Sequence, residues 1–121
     1  VSKTICGVIC FMLILSGVAF SQTSDHPLTA DQFISTYQST QSNDDRAILE
    51  QFARAYENGM EWEAAADQHP FFCVPSSGSL TGSQIVAILI TEVTKYPKLG
   101  ASPYGLAILI AMHKTFPCSN N

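Results

Sequence analysis

The sequence predicts an all-α protein: a compact bundle of about four helices with one intrachain disulfide, preceded by a cleaved signal peptide. Three observations carry this. Thr29-Ala30-Asp31-Gln32 and Thr81-Gly82-Ser83-Gln84 are both capping boxes, in which the threonine hydroxyl accepts from the amide three residues on while the glutamine side chain reaches back. Apolar residues recur at three- and four-residue spacing. Cys73 and Cys118 bracket two strongly apolar stretches and are the only cysteines left once the N-terminal segment is removed.

Residues 1–21 read as the signal peptide. Lys3 is the only charge before Asp25, Ile5 to Leu15 is an almost unbroken apolar run, and Ala19-Phe20-Ser21 offers small residues where a signal peptidase needs them. Cleavage is expected before Gln22. A retained anchor is the other reading, but about 16 apolar residues fall short of the roughly 20 that span a bilayer. Cys6 and Cys10 lie too early in the run to carry a lipid. The expected location is therefore periplasmic or secreted, with no membrane attachment after cleavage. In an oxidising compartment Cys73 and Cys118 are expected to pair structurally rather than act as a nucleophile and a resolving thiol. Closing a loop of about 45 residues is worth roughly 4 kcal/mol in the chain-entropy estimate.

The chain of 121 residues carries a net charge of −4, and loss of Lys3 makes it −5. That balance argues against nucleic-acid binding, which needs a basic footprint, and against an anionic membrane surface. It suits a cationic partner, or simply solubility.

Residues 22–28, containing Pro27, read as a flexible leader, and 29–118 as the helical domain. The first helix follows Thr29 and should bury Phe33, Ile34 and Tyr37. The second starts near Ser42 or Asn43, with Asp44 and Asp45 complementing the helix N-terminus. Its spacing predicts a buried face of Ile48, Leu49, Phe52, Tyr56, Met60 and Ala64, and a solvated face of Arg46, Glu50, Arg54 and Glu57 joined by i,i+4 charge pairs. Gly59 in mid-helix costs about 1 kcal/mol against alanine, a cost that a closely crossing neighbour would explain. His69-Pro70 ends this helix. The third runs from Thr81 towards Pro97. Its Ile85–Ile90 stretch also fits a buried strand, but the capping box and length favour helix. The fourth opens at Ser102-Pro103, read as N-cap and first-turn proline. Both are apolar nearly all round, which predicts a homodimer that buries one of these faces.

No catalytic constellation stands out. His26, His69 and His113 lack the spacing that sets two ligands on one helix face, so neither a metal nor a cofactor is expected. A hydrolase built from Cys73 and His113 would lose its nucleophile to oxidation. Glu57, Glu61, Glu63 and Asp67 read as an ordinary solvated acidic face, and Trp62 as a core edge rather than a contact residue.

The order Tyr56-Glu57-Asn58-Gly59-Met60, Phe72-Cys73-Val74-Pro75, Thr81-x-x-Gln84-Ile85-Val86, Tyr96-Pro97 and Phe116-Pro117-Cys118 resembles the Rap/Tai family of small periplasmic immunity proteins from type VI secretion systems. The resemblance covers about Leu28 to Cys118. It implies a four-helix fold, often dimeric, and a non-enzymatic role: binding and blocking a peptidoglycan amidase effector with a cysteine–histidine site. It also implies that a protruding loop occludes the effector's groove, which here points to Ser76, Ser77, Gly78 and Ser79. The alternative is a small periplasmic stress protein or chaperone with the same disulfide-clamped fold.

Overall fold

The computed structural model describes residues 26–75 and 78–119. Within them the chain is all-α: helices α1 (Ala30–Ser39), α2 (Asn43–Asp67), α3 (Gly82–Lys95) and α4 (Tyr104–Thr115), with a 3-10 turn at Pro97–Ala101. The region read as a signal peptide, residues 1–21, lies outside the described residues.

Both capping boxes form. Thr29 N–H donates to Gln32 Oε1 at 3.0 Å, and Thr81 N–H to Gln84 Oε1 at 2.8 Å. Ser42 caps α2 by accepting from Asp45 N. That helix stops at Asp67, where Gln68 turns left-handed at φ 58° ahead of His69-Pro70. Ser102 does not cap α4: it is extended, and Pro103 holds the N-cap position without a side-chain bond. The backbone there serves another purpose. Ala30 N–H donates to Ser102 O at 2.9 Å and Tyr104 N–H to Leu28 O at 2.8 Å, so the entry to α1 is sewn to the entry to α4. The last residue of the segment read as a leader is thus fixed.

Helix α3 is central, packing on α1, α2, α4 and the 3-10 turn. Its Ile85, Val86 and Leu89 meet Ile108 and Met112 of α4 and Phe33 of α1 to make the core. Fully burying each such side chain is worth about 1.5–3 kcal/mol. Tyr104 stacks on Phe33 with centroids 5.0 Å apart and meets Tyr56 edge-on at 4.7 Å. Burial, and then the hydrogen bond with Tyr56, push the Tyr104 hydroxyl pKa well up. Of the large apolar side chains of α3 and α4, Leu106 alone is exposed among the described residues. Most of the all-round apolar surface of these two helices is therefore covered within the chain.

Helix α2 is rotated from the expectation by roughly a quarter of a turn. It buries only Ala53 and Glu57, with Arg46, Leu49, Glu50 and Met60 half-buried. Ile48 and Phe52 are each 54% exposed, Tyr56 is exposed, and Trp62, expected at a core edge, is 76% exposed. The reason is close approach. A Cβ on Gly82 would collide with the Glu50 carbonyl, so α3 starts directly against the α2 backbone. Only a small residue such as Ala53 fits such a seam. Polar groups complete it: Tyr37 donates to Glu50 Oε1 at 2.7 Å, and Arg46 donates to Thr40 O at 3.0 Å with its guanidinium 5.2 Å from the Tyr37 ring centroid. The Glu50 bond, with burial behind it, raises the Tyr37 pKa. The expected i,i+4 ion pairs of α2 do not form; among the described residues the one ion pair is Lys95–Glu92 at 2.8 Å. No helix crosses Gly59, which has open space where a Cβ would stand.

Candidate functional site

The connection between α2 and α3 is the longest between helices of the domain, and it is anchored at one end. Cys73 and Cys118 form the disulfide, with S–S 2.03 Å and Cα–Cα 4.9 Å. Cys73 N–H donates to Phe116 O at 2.8 Å. His113 lies with Nδ1 2.7 Å from Phe71 O; since a carbonyl only accepts, Nδ1 carries the proton. Phe72 is buried while its neighbour Phe71 stands exposed. The alternation drives one ring into the core and offers the other to solvent. Three bonds thus tie Phe71–Cys73 to the last turn and tail of α4, and the chain beyond Cys73 departs from a fixed point.

Open depressions flank the clamp. One of about 460 Å³ lies between the end of α2 and this segment, lined by Met60, Glu61, Ala64, Phe71 and Phe72. A smaller one, about 230 Å³, lies between Phe71 and the Leu109–Lys114 side of α4. Lys114 Nζ sits 3.2 Å over the Tyr96 ring centroid, a cation–π contact that keeps a positive charge near this edge. A third, about 220 Å³, is bounded by Val74, Gly78, Leu80, Gln84 and Phe116.

Of the residues expected to touch a partner, Gly78 and Ser79 are exposed and border that third depression. Ser76 and Ser77 lie outside the described residues. Cys73 and Cys118, 45 positions apart, are joined as expected. Among the described residues no three His, Cys, Asp or Glu side chains come together as a metal site, and no helix is long and apolar enough to cross a membrane.

The acidic run of α2 divides. Glu61, Glu63 and Asp67 are exposed, but Glu57 is only 4% exposed. Burial, then the neighbouring Glu61 carboxylate, push its pKa up to about 7. Sequence reasoning misses both this carboxyl and the His113–Phe71 bond. Glu57 lies four residues after Ala53 and so shares its helix face, a signal present in the sequence once Ala53 is known to face inward. Nothing local marks His113, whose partner is 42 positions away. Spacing places Ile48 and Phe52 on the buried side and composition reads Trp62 as a core edge, whereas all three stand exposed. Comparison with protein-family models, curated proteins and solved structures finds no match for this chain.

Proposed function

We propose that this protein is an immunity-type inhibitor of the periplasm, acting by binding: it seats on a peptidoglycan amidase effector and blocks its cysteine–histidine groove. The carrying observation is the Cys73–Cys118 clamp, which joins the Phe-Cys-x-Pro and Phe-Pro-Cys elements on which the family resemblance rests. A disulfide is compatible with an oxidising compartment. The clamp gives the Pro75–Leu80 connection a rigid base, and loops on rigid scaffolds are where recognition concentrates. Gly78 and Ser79 lie on its exposed side.

The test is co-expression. An exported cysteine–histidine amidase encoded beside this gene should lyse cells when directed to the periplasm, and this protein should rescue them through a stoichiometric complex. Replacing Gly78 and Ser79 with bulky charged residues should abolish rescue while leaving the thermal melt unchanged. Lysis that continues with the intact protein present would end this reading.

The chaperone alternative draws on one observation, the exposed apolar side chains of α2. It predicts that the protein suppresses aggregation of many unfolded clients, with no preference for an amidase.

A further inference from the structure

The outward face of α2 carries Ile48, Phe52, Ala55, Gly59, Trp62 and Ala66, separated in turn by four, three, four, three and four residues. That alternation is the seam on which a second helix packs knobs into holes. Two open depressions lie along the row. One of about 480 Å³ is lined by Ala47, Ile48, Gln51, Phe52 and Ala55, and the next, of about 330 Å³, lies among Ala55, Gly59 and Glu63. Gly59 has open space above it, so a partner's backbone can come close at the middle of the row.

The acids of the domain gather on the same helix. Seven of the nine acidic residues between positions 26 and 119 belong to α2, whereas the lysines of this stretch, Lys95, Lys98 and Lys114, all lie elsewhere. At about 100° per residue, Asp45 and Glu63 fall at one azimuth, beside Phe52, and Asp44 falls at that of Trp62. Asp44, Asp45 and Glu63 are exposed, and among the described residues none of them is in an ion pair. The two arginines of α2 lie away from them. Arg46 donates to Thr40 O and covers the Tyr37 ring. Arg54 is about 80° or more round the helix from every residue of the row. Free carboxylates therefore stand at both ends of the apolar row, Asp44 and Asp45 before Ile48 and Glu63 after Trp62.

We infer that this face docks an amphipathic helix of another polypeptide, with an apolar row of its own and lysine or arginine at both ends. The inference does not rest on what the clamped edge binds. From Asp45 to Glu63 is about 27 Å along the axis, so the partner helix is about 18 residues long. A helix fits better than an extended strand, because the α2 backbone is hydrogen-bonded within itself and offers side chains at helical spacing rather than an edge. The charge of the partner follows from the carboxylates. A second copy has no lysine or arginine on this side to answer them, and an anionic lipid surface repels them. With Ile48, Phe52, Tyr56 and Trp62 at 54, 54, 44 and 76% exposed, the face offers on the order of 450 Å² of large side chain, comparable to the largest apolar patch of a typical monomer. A patch of that size with charges at its rim gives micromolar binding that weakens with salt.

Trp62 is the only tryptophan of the chain, so its emission reports on this face directly. The probe is a tryptophan-free synthetic peptide of about 18 residues, with leucines at the seam positions and lysines at both ends. Its counterpart carries glutamate in place of lysine. At low salt the lysine peptide should move Trp62 emission to shorter wavelength with a Kd of about 1–100 µM, weakening about 10-fold in about 0.5 M salt. The glutamate peptide should leave the emission where it is. Phe52→Glu should remove the response, and Leu106→Glu, on α4, should keep it. Asp45→Lys combined with Glu63→Lys should reverse the preference, weakening the lysine peptide by about 10-fold and admitting the glutamate peptide. A proline at the centre of the lysine peptide should abolish binding, since the partner must be helical.

No response to the lysine peptide at about 100 µM overturns the inference, and so does an equal response to both peptides. A shift on concentrating the protein alone assigns the face to a second copy instead. One produced only by phosphatidylglycerol vesicles assigns it to a lipid surface, and either result overturns the inference.

Discussion

Helix α2 and the α3–α4 pair use apolar residues in opposite ways. The pair is short, 14 and 12 residues, yet each helix buries four side chains. Helix α2 has 25 residues and buries two, an alanine and a glutamate. Its Ile48, Phe52 and Trp62 point away from the domain, while Leu49 and Met60 pack half-buried against the core. Apolar content therefore says how much surface a helix must cover, but not which body covers it. In α3 and α4 the cover is mostly intrachain. In α2 the inner face has small and polar groups where the α3 backbone lies against it, and Ile48, Phe52 and Trp62 are left outside.

The predictions probe that contrast, beginning with the clamp that closes the α3–α4 side. Replacing Cys73 and Cys118 together by serine should lower unfolding free energy by about 4 kcal/mol, the loop-closure value for their spacing. Urea denaturation reads this directly. A loss below about 1 kcal/mol would mean that the segment is held without the bond.

Core truncation comes next. Leu89→Ala in α3 removes a fully buried side chain and should cost about 3 kcal/mol, whereas Phe52→Ala in α2 should change the dilute monomer by no more than about 0.5 kcal/mol. Equal effects would erase the distinction between the two regions.

Two glycines sharpen it further. Gly82→Ala should destabilise by about 1–3 kcal/mol, because its methyl collides with the Glu50 carbonyl and must push α3 off α2. Gly59→Ala, on the open face of α2, should instead stabilise the monomer by up to about 1 kcal/mol through helix propensity. Thermal melts of the two variants should move in opposite directions.

The smaller effect is a pH dependence. Glu57 titrates near 7 in the folded state, above its ordinary value of 4.5, so the fold prefers the protonated acid. Its contribution to stability is complete below about 4.5 and declines as pH rises through about 7. Glu57→Gln should flatten that decline, leaving the variant more stable than the parent by about 1–2 kcal/mol at pH 8 and little changed at pH 4. Stability measured across this range checks the sign, and a parent that gains stability from pH 5 to 8 through this residue would refute it.

Much of the scaffold could be read locally. Thr29, Ser42 and Thr81 cap the helices that their positions predict, because a capping bond spans three residues and needs no tertiary partner. Elsewhere local rules meet competition. Ser102 gives up capping because its carbonyl is taken by Ala30 from the start of the domain. The stretch after Pro97 closes into a 3-10 turn whose Leu99 packs into the core, a detail that no spacing rule carries. At the candidate binding edge, the cysteine pair is visible in the sequence while the bond from His113 to Phe71 is not.

The sequence by itself determined the all-α class, the starts of three helices and the cysteine pair, since these depend on contacts within one turn or on which thiols remain to pair. Only the tertiary structure decided which face of α2 looks inward. Periodicity favours the side that carries Ile48, Phe52 and Tyr56, yet the choice went to the side where Ala53 lets the α3 backbone come close. That choice buried Glu57 and turned Phe52 and Trp62 outward.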